Sequence, residues 1–250
     1  MTGKEYFEHF NNWGNDLDEK EKERVIKTIS LIPDDVDSVL DIGCGDGRIT
    51  NKLTKFKKVV GLDFSKTALK YVRFDKIIAS CTSIPFRSGS FNLLLLSEVL
   101  EHLDEKAYQE TLKEIERIDK RYVVISVPYE QNLNAFLCKC ANCGHTYLGS
   151  SSAGEHVRTF NNKNLELLFN KFSLRRKIYH GNTHSDPLLK VKHLLGYYYT
   201  NEWAVCSRCG SRRQTSRRKD FLYSIISYVS RVIGQKKPIW AMCLYERNEK

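Results

Sequence analysis

The 250-residue chain has no apolar run approaching the ~20 residues that a membrane-spanning helix requires, which argues against a transmembrane segment. Its first residues, MTGKEYFEHFNN, lack the basic-then-apolar pattern of a secretory signal. No internal repeat or low-complexity tract is visible. Apolar residues make up 41% and charged residues 28%, a folded composition that sets aside disorder and collagen-like structure. These absences lead to the expectation of a cytoplasmic protein, either one large α/β domain or one domain with a small insert. In that compartment its eight cysteines are expected as metal ligands or free thiols rather than disulfides.

The net charge of +10 is unevenly spread. Residues 201–237 hold nine Lys/Arg, among them Arg208, Arg212, Arg213, Arg217, Arg218 and Lys219, against Glu202 and Asp220. The basic region 208–219 suggests an anionic partner, RNA or lipid head groups, with a merely solubilising surface as the alternative. It is followed by Phe221–Ile233, where Leu222, Ile225, Ile226, Val229, Val232 and Ile233 recur at helical spacing. Basic flanks on such a helix permit peripheral docking at a membrane surface. Packing of its apolar face on the body of the protein is the more expected outcome.

The rest of the chain alternates apolar strands with helical patterns. Helices are expected at Leu17–Ile32, Arg48–Phe56, Ser65–Phe74, Glu98–Ile118 and Asn164–Phe172. Strands are expected at Ser38–Ile42, Lys58–Asp63, Ile77–Ala79, Phe91–Leu96, Tyr122–Val127, Leu174–Tyr179 and Trp240–Tyr245. That order implies an α/β fold whose mostly parallel sheet is covered by helices on both faces.

The most informative stretch is Val39-Leu-Asp-Ile-Gly-Cys-Gly-Asp-Gly-Arg48, a glycine turn where the first strand meets its helix. Glycines at 43, 45 and 47 permit positive φ and close approach of a ligand to the backbone. A dinucleotide fingerprint needs glycine where Arg48 stands, which counts against NAD or FAD. Asp63 ends the second strand, where an acid can accept from both hydroxyls of a ribose. With Ile84-Pro-Phe86, Ser90-Phe91 and Ser97-Glu-Val-Leu-Glu-His102, these elements resemble the class I S-adenosylmethionine-dependent methyltransferases, over about residues 36–180 plus the last strand.

The resemblance implies a Rossmann-like sheet and S-adenosylmethionine as cofactor. It implies that Asp41, Gly43 and Gly45 line the methionine half, that Asp63 binds the ribose and that Ser80 and Cys81 lie beside the adenine. Cys44, Phe64 and Ser97 complete the expected pocket. The family often has Asp where Ser80 and Asn92 stand. Glu98, Glu101 and His102 are expected to share one helical face, two carboxylates and an imidazole suited to Mg²⁺ or another divalent ion. In metal-assisted O-methyltransferases of this kind such residues are ligands, and His156 would join them. Metal-free roles are the alternative, with Glu98 favouring a helix N-terminus and His102 acting as a base or a packed core residue. Tyr6, Phe7, Phe10 and Trp13 could form a lid over the cofactor.

Two further motifs, Cys140-Ala-Asn-Cys143-Gly and Cys206-Ser-Arg-Cys209-Gly, are C-x-x-C-G knuckles, which together supply the four thiolates of a structural Zn²⁺ site. Cys138 is a spare, and His145 an alternative ligand. The expected plan is a helical lead-in and core over 1–137, a first knuckle insert over 138–154 and core again over 155–180. A second knuckle, the basic run and the apolar helix occupy 181–236, and a terminal core strand 237–250. The expected activity is methyl transfer, most simply O-methylation of a glycan, lipid-linked saccharide or small metabolite. Alternatives are an RNA methyltransferase using the basic knuckle region, and a catalytically inactive protein that binds the cofactor or nucleic acid.

Overall fold

The computed structural model describes residues 7–8, 13–149, 156–202 and 204–248. Tyr6 and Phe10 lie outside the described residues, as does the stretch 150–155 of the first insert. Helix α1 (Glu19–Ile29) opens on a capping box in which the Asp18 side chain accepts from the Glu21 amide and the Glu21 side chain accepts from the Asp18 amide. Then come β1 (Ser38–Ile42), β2 (Lys58–Asp63), the single turn α2 (Lys66–Leu69), β3 (Asp75–Ile78), β4 (Phe91–Ser97), α3 (Glu105–Ile118) and β5 (Asp119–Pro128). The chain continues through β6 (Leu137–Lys139), β7 (Thr146–Leu148), α4 (Asn162–Glu166), β8 (Phe172–His180), β9 (Thr183–His184), α5 (Leu189–Leu194), α6 (Phe221–Ile233), β10 (Lys236–Lys237) and β11 (Trp240–Arg247).

Seven of the strands form one sheet in the order β3-β2-β1-β4-β5-β11-β8. The first five run parallel, and β11 enters antiparallel between β5 and β8. This is the Rossmann-like architecture expected from the sequence. The pleat explains the near-continuous apolar strands: Leu94 and Leu96 of β4 face the core layer that contains α3, while Leu93 and Leu95 face the layer containing α1.

All five expected helices are shorter than their patterns: Leu17–Ile32 trims to α1, Asn164–Phe172 to α4 with Phe172 opening β8, and the other three depart further. Arg48–Phe56 yields a 3₁₀ turn at Thr50–Lys52, because two side chains there make contacts elsewhere. Thr50 donates to Asp41 at 2.6 Å, and Asn51 bridges the Tyr71 carbonyl and the Arg73 amide. Ser65–Phe74 shrinks to α2, capped by Ser65. Glu98–Ile118 is broken: Glu98 sits at φ 57°, Leu100–His102 form a 3₁₀ turn, and the α-helix starts at Glu105. The shared helical face expected for Glu98, Glu101 and His102 therefore does not exist.

Long excursions leave from the edge of the sheet where the parallel strands end. Residues 181–235 depart after His180 and return at Trp240, and these two residues pair with each other across β8 and β11. At the opposite edge, Asn92 closes the sheet, its Oδ1 accepting from the Asp37 and Ser38 amides and the Ser38 hydroxyl. Its departure from the family pattern thus concerns a sheet brace. Asn92→Ala is expected to cost about 1–3 kcal/mol in denaturant unfolding, while Asn92→Asp, which keeps the acceptor, stays near wild type.

Candidate active site

A cavity of about 470 Å³ opens where β1, β2 and β4 end. Its floor is the glycine turn. The Gly43 and Cys44 amides both donate to the Leu62 carbonyl, and the Gly45 amide donates to Asp63 at 2.9 Å. Gly43 has φ 70°, and a Cβ there would lie 2.5 Å from Val99. Glycine at this position satisfies both the left-handed backbone and the close approach of the loop after β4.

Of the residues expected at the cofactor, Asp41, Gly43, Cys44, Gly45, Asp63, Phe64, Cys81 and Ser97 line this one cavity. Ser80 is not among the lining residues. Its hydroxyl is within 2.8 Å of the Thr82 hydroxyl and accepts from the Thr82 amide, so it builds a turn behind Cys81. Phe7 and Trp13 cover the cavity; the Trp13 ring lies against Gly45, and Phe7 meets Phe64 and His102 edge-on. Burial raises the Asp41 carboxyl to about 7 despite its bond from Thr50, and raises Asp63 and the Cys44 thiol as well.

At the other end of the cavity, Glu101, His102 and His156 bring ligand atoms within 4.8 Å of one another. His156 arrives from the segment after the first insert because the Val157 amide donates to the Glu101 carbonyl at 2.8 Å. His156 Nδ1 lies 2.5 Å from Gln131 Oε1, so the amide acceptor fixes the proton on Nδ1 and leaves the Nε2 lone pair 3.9 Å from Glu101. Burial, with the nearby His102 adding to it, lowers His156 to about 3, and the ring is neutral. Both Glu101 carboxylate oxygens are buried, and no donor among the described residues reaches them. Burial, followed by the charge of Glu98, pushes this carboxyl well above its usual range.

Glu98 does not join the cluster. Its Oε1 accepts from Ser126 and lies 3.6 Å from Arg24, and its Oε2 accepts from Trp240 Nε1 at 3.0 Å. The sequence reading missed Arg24, Trp240 and Gln131. None had a motif, and all three reach the site from elements that register only once the sheet is assembled.

The two knuckles meet away from this cavity. Cys140 and Cys209 sulfurs are 3.6 Å apart, Cys143 and Cys206 3.7 Å, and all four lie within 4.8 Å. The turns are built alike: the Gly144 amide donates to the Cys140 carbonyl and the Gly210 amide to the Cys206 carbonyl, both glycines at φ 71°. Cys138 is buried outside the quartet, and His145 stacks on Tyr147 instead of joining it.

Residues 40–125 match the family model described as a methyltransferase domain. An uncharacterized protein of Methanocaldococcus jannaschii is 42% identical over 84 residues, 33% of this chain, and the match spans about a third (36%) of that relative's length. Among solved structures, the methyltransferase domain of a bacterial Hen1 aligns over 90% of this chain and 98% of its own, with TM-score 0.51 and 16% identity. Magnesium protoporphyrin IX methyltransferase from Synechocystis, solved with bound S-adenosylmethionine, covers 99% of this chain and 98% of its own at TM-score 0.55 and 12% identity. A methyltransferase complexed with the Trm112 activator of Haloferax volcanii gives TM-score 0.56 and 13% identity over 99% of this chain and 98% of its own.

The buried Asp41 makes stability depend on pH. Its folded value lies above the unfolded one, so the native state binds the extra proton between about pH 4 and 7 and stability falls as pH rises through that window. Asp41→Asn keeps an acceptor for Thr50 and is expected to raise unfolding free energy at pH 8 by at most about 4 kcal/mol. The gain narrows toward pH 4, which thermal unfolding of both proteins across the pH range would show.

Proposed function

From a methyltransferase domain on a class I S-adenosylmethionine-dependent methyltransferase fold, we propose that the protein methylates a hydroxyl group of a glycan, lipid-linked saccharide or small metabolite. The observation that carries this reading is the continuity of one cavity from Gly43, Gly45 and Asp63 to His102 and His156. The pocket residues fit S-adenosylmethionine: a glycine cradle that a Cβ would fill, and a buried carboxylate at the end of β2. When bound, this cofactor supplies a methyl group already activated on a sulfonium. Asp63 is then the acceptor for the ribose hydroxyls, and Phe7 and Trp13 exclude water from the sulfonium.

We assign a divalent ion to Glu101, His102 and His156. The support is a buried carboxylate that lacks donors among the described residues, beside a neutral imidazole whose other nitrogen is held by Gln131, the arrangement that orients metal-binding histidines. With Glu101, His102 and His156 as its ligands, such an ion would supply Lewis acidity that lowers the pKa of an acceptor hydroxyl. Of the divalent ions the sequence left open, two imidazoles and one carboxylate suit a first-row transition ion better than Mg²⁺. The Cys140, Cys143, Cys206 and Cys209 quartet we assign to structural Zn²⁺. Thiolates about 2.3 Å from a tetrahedral zinc sit about 3.8 Å apart, close to the 3.6 and 3.7 Å separations here.

Calorimetric titration of the full chain with S-adenosylmethionine is expected to show one saturable site, weakened at least tenfold by Asp63→Ala, on the scale of lost charge-assisted hydrogen bonds. No heat at millimolar ligand with the wild type would overturn the methyl-transfer reading. Elemental analysis separates the two metal assignments. Cys206→Ser should lose zinc and keep the second ion, and Glu101→Ala should do the reverse.

A further inference from the structure

Helix α6 sits with the wrong face inward for a helix that belongs to a protein core. At 100° per residue, Phe221, Tyr228, Val232, Ile225, Val229, Leu222 and Ile233 occupy one arc of about 140°. All seven are exposed, Phe221 by 81% and Tyr228 by 71%. The residues that α6 buries are Ile226 and Ser230. Its attachment to the protein is largely polar: the Ser230 hydroxyl donates to Asp186, accepts from the Leu188 amide, and Asp186 in turn takes Lys192 at 2.7 Å. This overturns the expectation that the apolar face packs on the body of the protein. α5, which those contacts hold alongside, exposes Val191, Leu194 and Leu195 as well.

The charges that flank this face along the chain are nearly all of one sign. Arg218 and Lys219 precede the helix, Arg231 lies in its last turn, and Lys236 and Lys237 come after it. The only acid between residues 208 and 237 is Asp220. Asp220 caps the helix by accepting from the Tyr223 amide and pairs with Arg217 at 2.7 Å, so it does not offset the flanking charge. No described helix is long and apolar enough to cross a membrane. An apolar arc that carries Phe221 and Tyr228 along one side, flanked along the chain by Arg and Lys, has the character of a helix that lies in the lipid interface. A second copy of the chain fits this face poorly, because a two-fold contact would set these cations against their own copies.

We propose that α6, with α5 beside it, docks the protein on an anionic lipid bilayer. The apolar arc enters the acyl boundary, and Arg218, Lys219 and Arg231 meet the head-group phosphates. The helix belongs to the excursion that leaves and re-enters the sheet at the edge where the cavity opens.

The test is co-sedimentation of the full chain with vesicles of phosphatidylcholine alone or mixed with phosphatidylglycerol. Binding is expected for the mixed vesicles, and it should fall with added salt. Phe221→Ser with Val232→Ser, and separately Arg218→Glu with Lys219→Glu, should each weaken it at least tenfold, on the scale of about 1 kcal/mol per surface cation. All four residues are solvent-exposed, and both variants should retain the wild-type melting transition. Lack of binding to either vesicle overturns the proposal, as does equal binding to neutral and anionic vesicles. Sedimentation velocity covers the remaining outcome: a dimer dispersed by Phe221→Ser with Val232→Ser, without vesicle binding, makes the face a self-interface and also overturns it. The assay reads docking alone and is independent of the methyl-transfer reading.

Discussion

The buried guanidinium of Arg24 is the contact on which the geometry of the candidate site depends. It reaches from α1 to donate to the Ser97 hydroxyl at 2.7 Å, lies 3.6 Å from Glu98 and sits 5.6 Å from the Trp240 ring centre. One side chain thus joins α1, the end of β4 and the start of β11. Taking both charges out of water is costly, and their attraction alone does not ensure a net gain. What the arrangement fixes is position. With Glu98 held by Arg24, Ser126 and Trp240, the chain leaves β4 through a left-handed residue and turns Glu101 and His102 toward His156. Val99, in the same turn, closes against Gly43.

The two edges of the sheet carry different burdens. The edge braced by Asn92 is neutral at that residue, whose Oδ1 accepts three hydrogen bonds. The edge where the parallel strands end concentrates Asp41, Asp63, Glu98 and Glu101 in or beside one cavity, all with carboxyl groups raised by burial. Such a cluster opposes folding at neutral pH, and it is tolerated where function selects for it. Asp63 is quieted by the Gly45 and Ser65 amides, and Glu98 by Arg24. The Glu101 oxygens accept no hydrogen bond among the described residues and feel Arg24 only through its charge, which is the support for the cation proposed beside them.

The sheet and half of the site were legible because their signals are local. Val39–Ile42 and Phe91–Leu96 are apolar at every strand position apart from Asp41 and Asn92, and Gly43, Gly45 and Asp63 sit at strand ends whatever the tertiary detail. The helices after β1 and β4 were misjudged because side chains there compete with the backbone: Thr50 and Asn51 in the first case, the anchored Glu98 in the second. Periodicity registers which residues are apolar but not which partners they find. For the same reason it identified Phe221–Ile233 as a helix with matching bounds and misassigned the direction in which its apolar face points.

The knuckle pair shows how a long excursion can be held without a large core of its own. Between Cys143 and Cys206 lie 62 residues, and joining the ends of such a loop costs entropy that grows with the logarithm of its length. The buried cluster beneath the thiols is small, Cys138, Cys140, Tyr147, Ala204 and Cys206, with Tyr199 against it. Backbone bonds from Ala141 to Arg213 and from Thr215 to Lys139 bring the two segments together, and the four sulfurs end at spacings that suit one tetrahedral ion. Binding free energy at such a site is folding free energy. The Zn²⁺ proposed there would tie together the two segments that flank α5 and α6, and so would steady the base from which the exposed apolar arc projects.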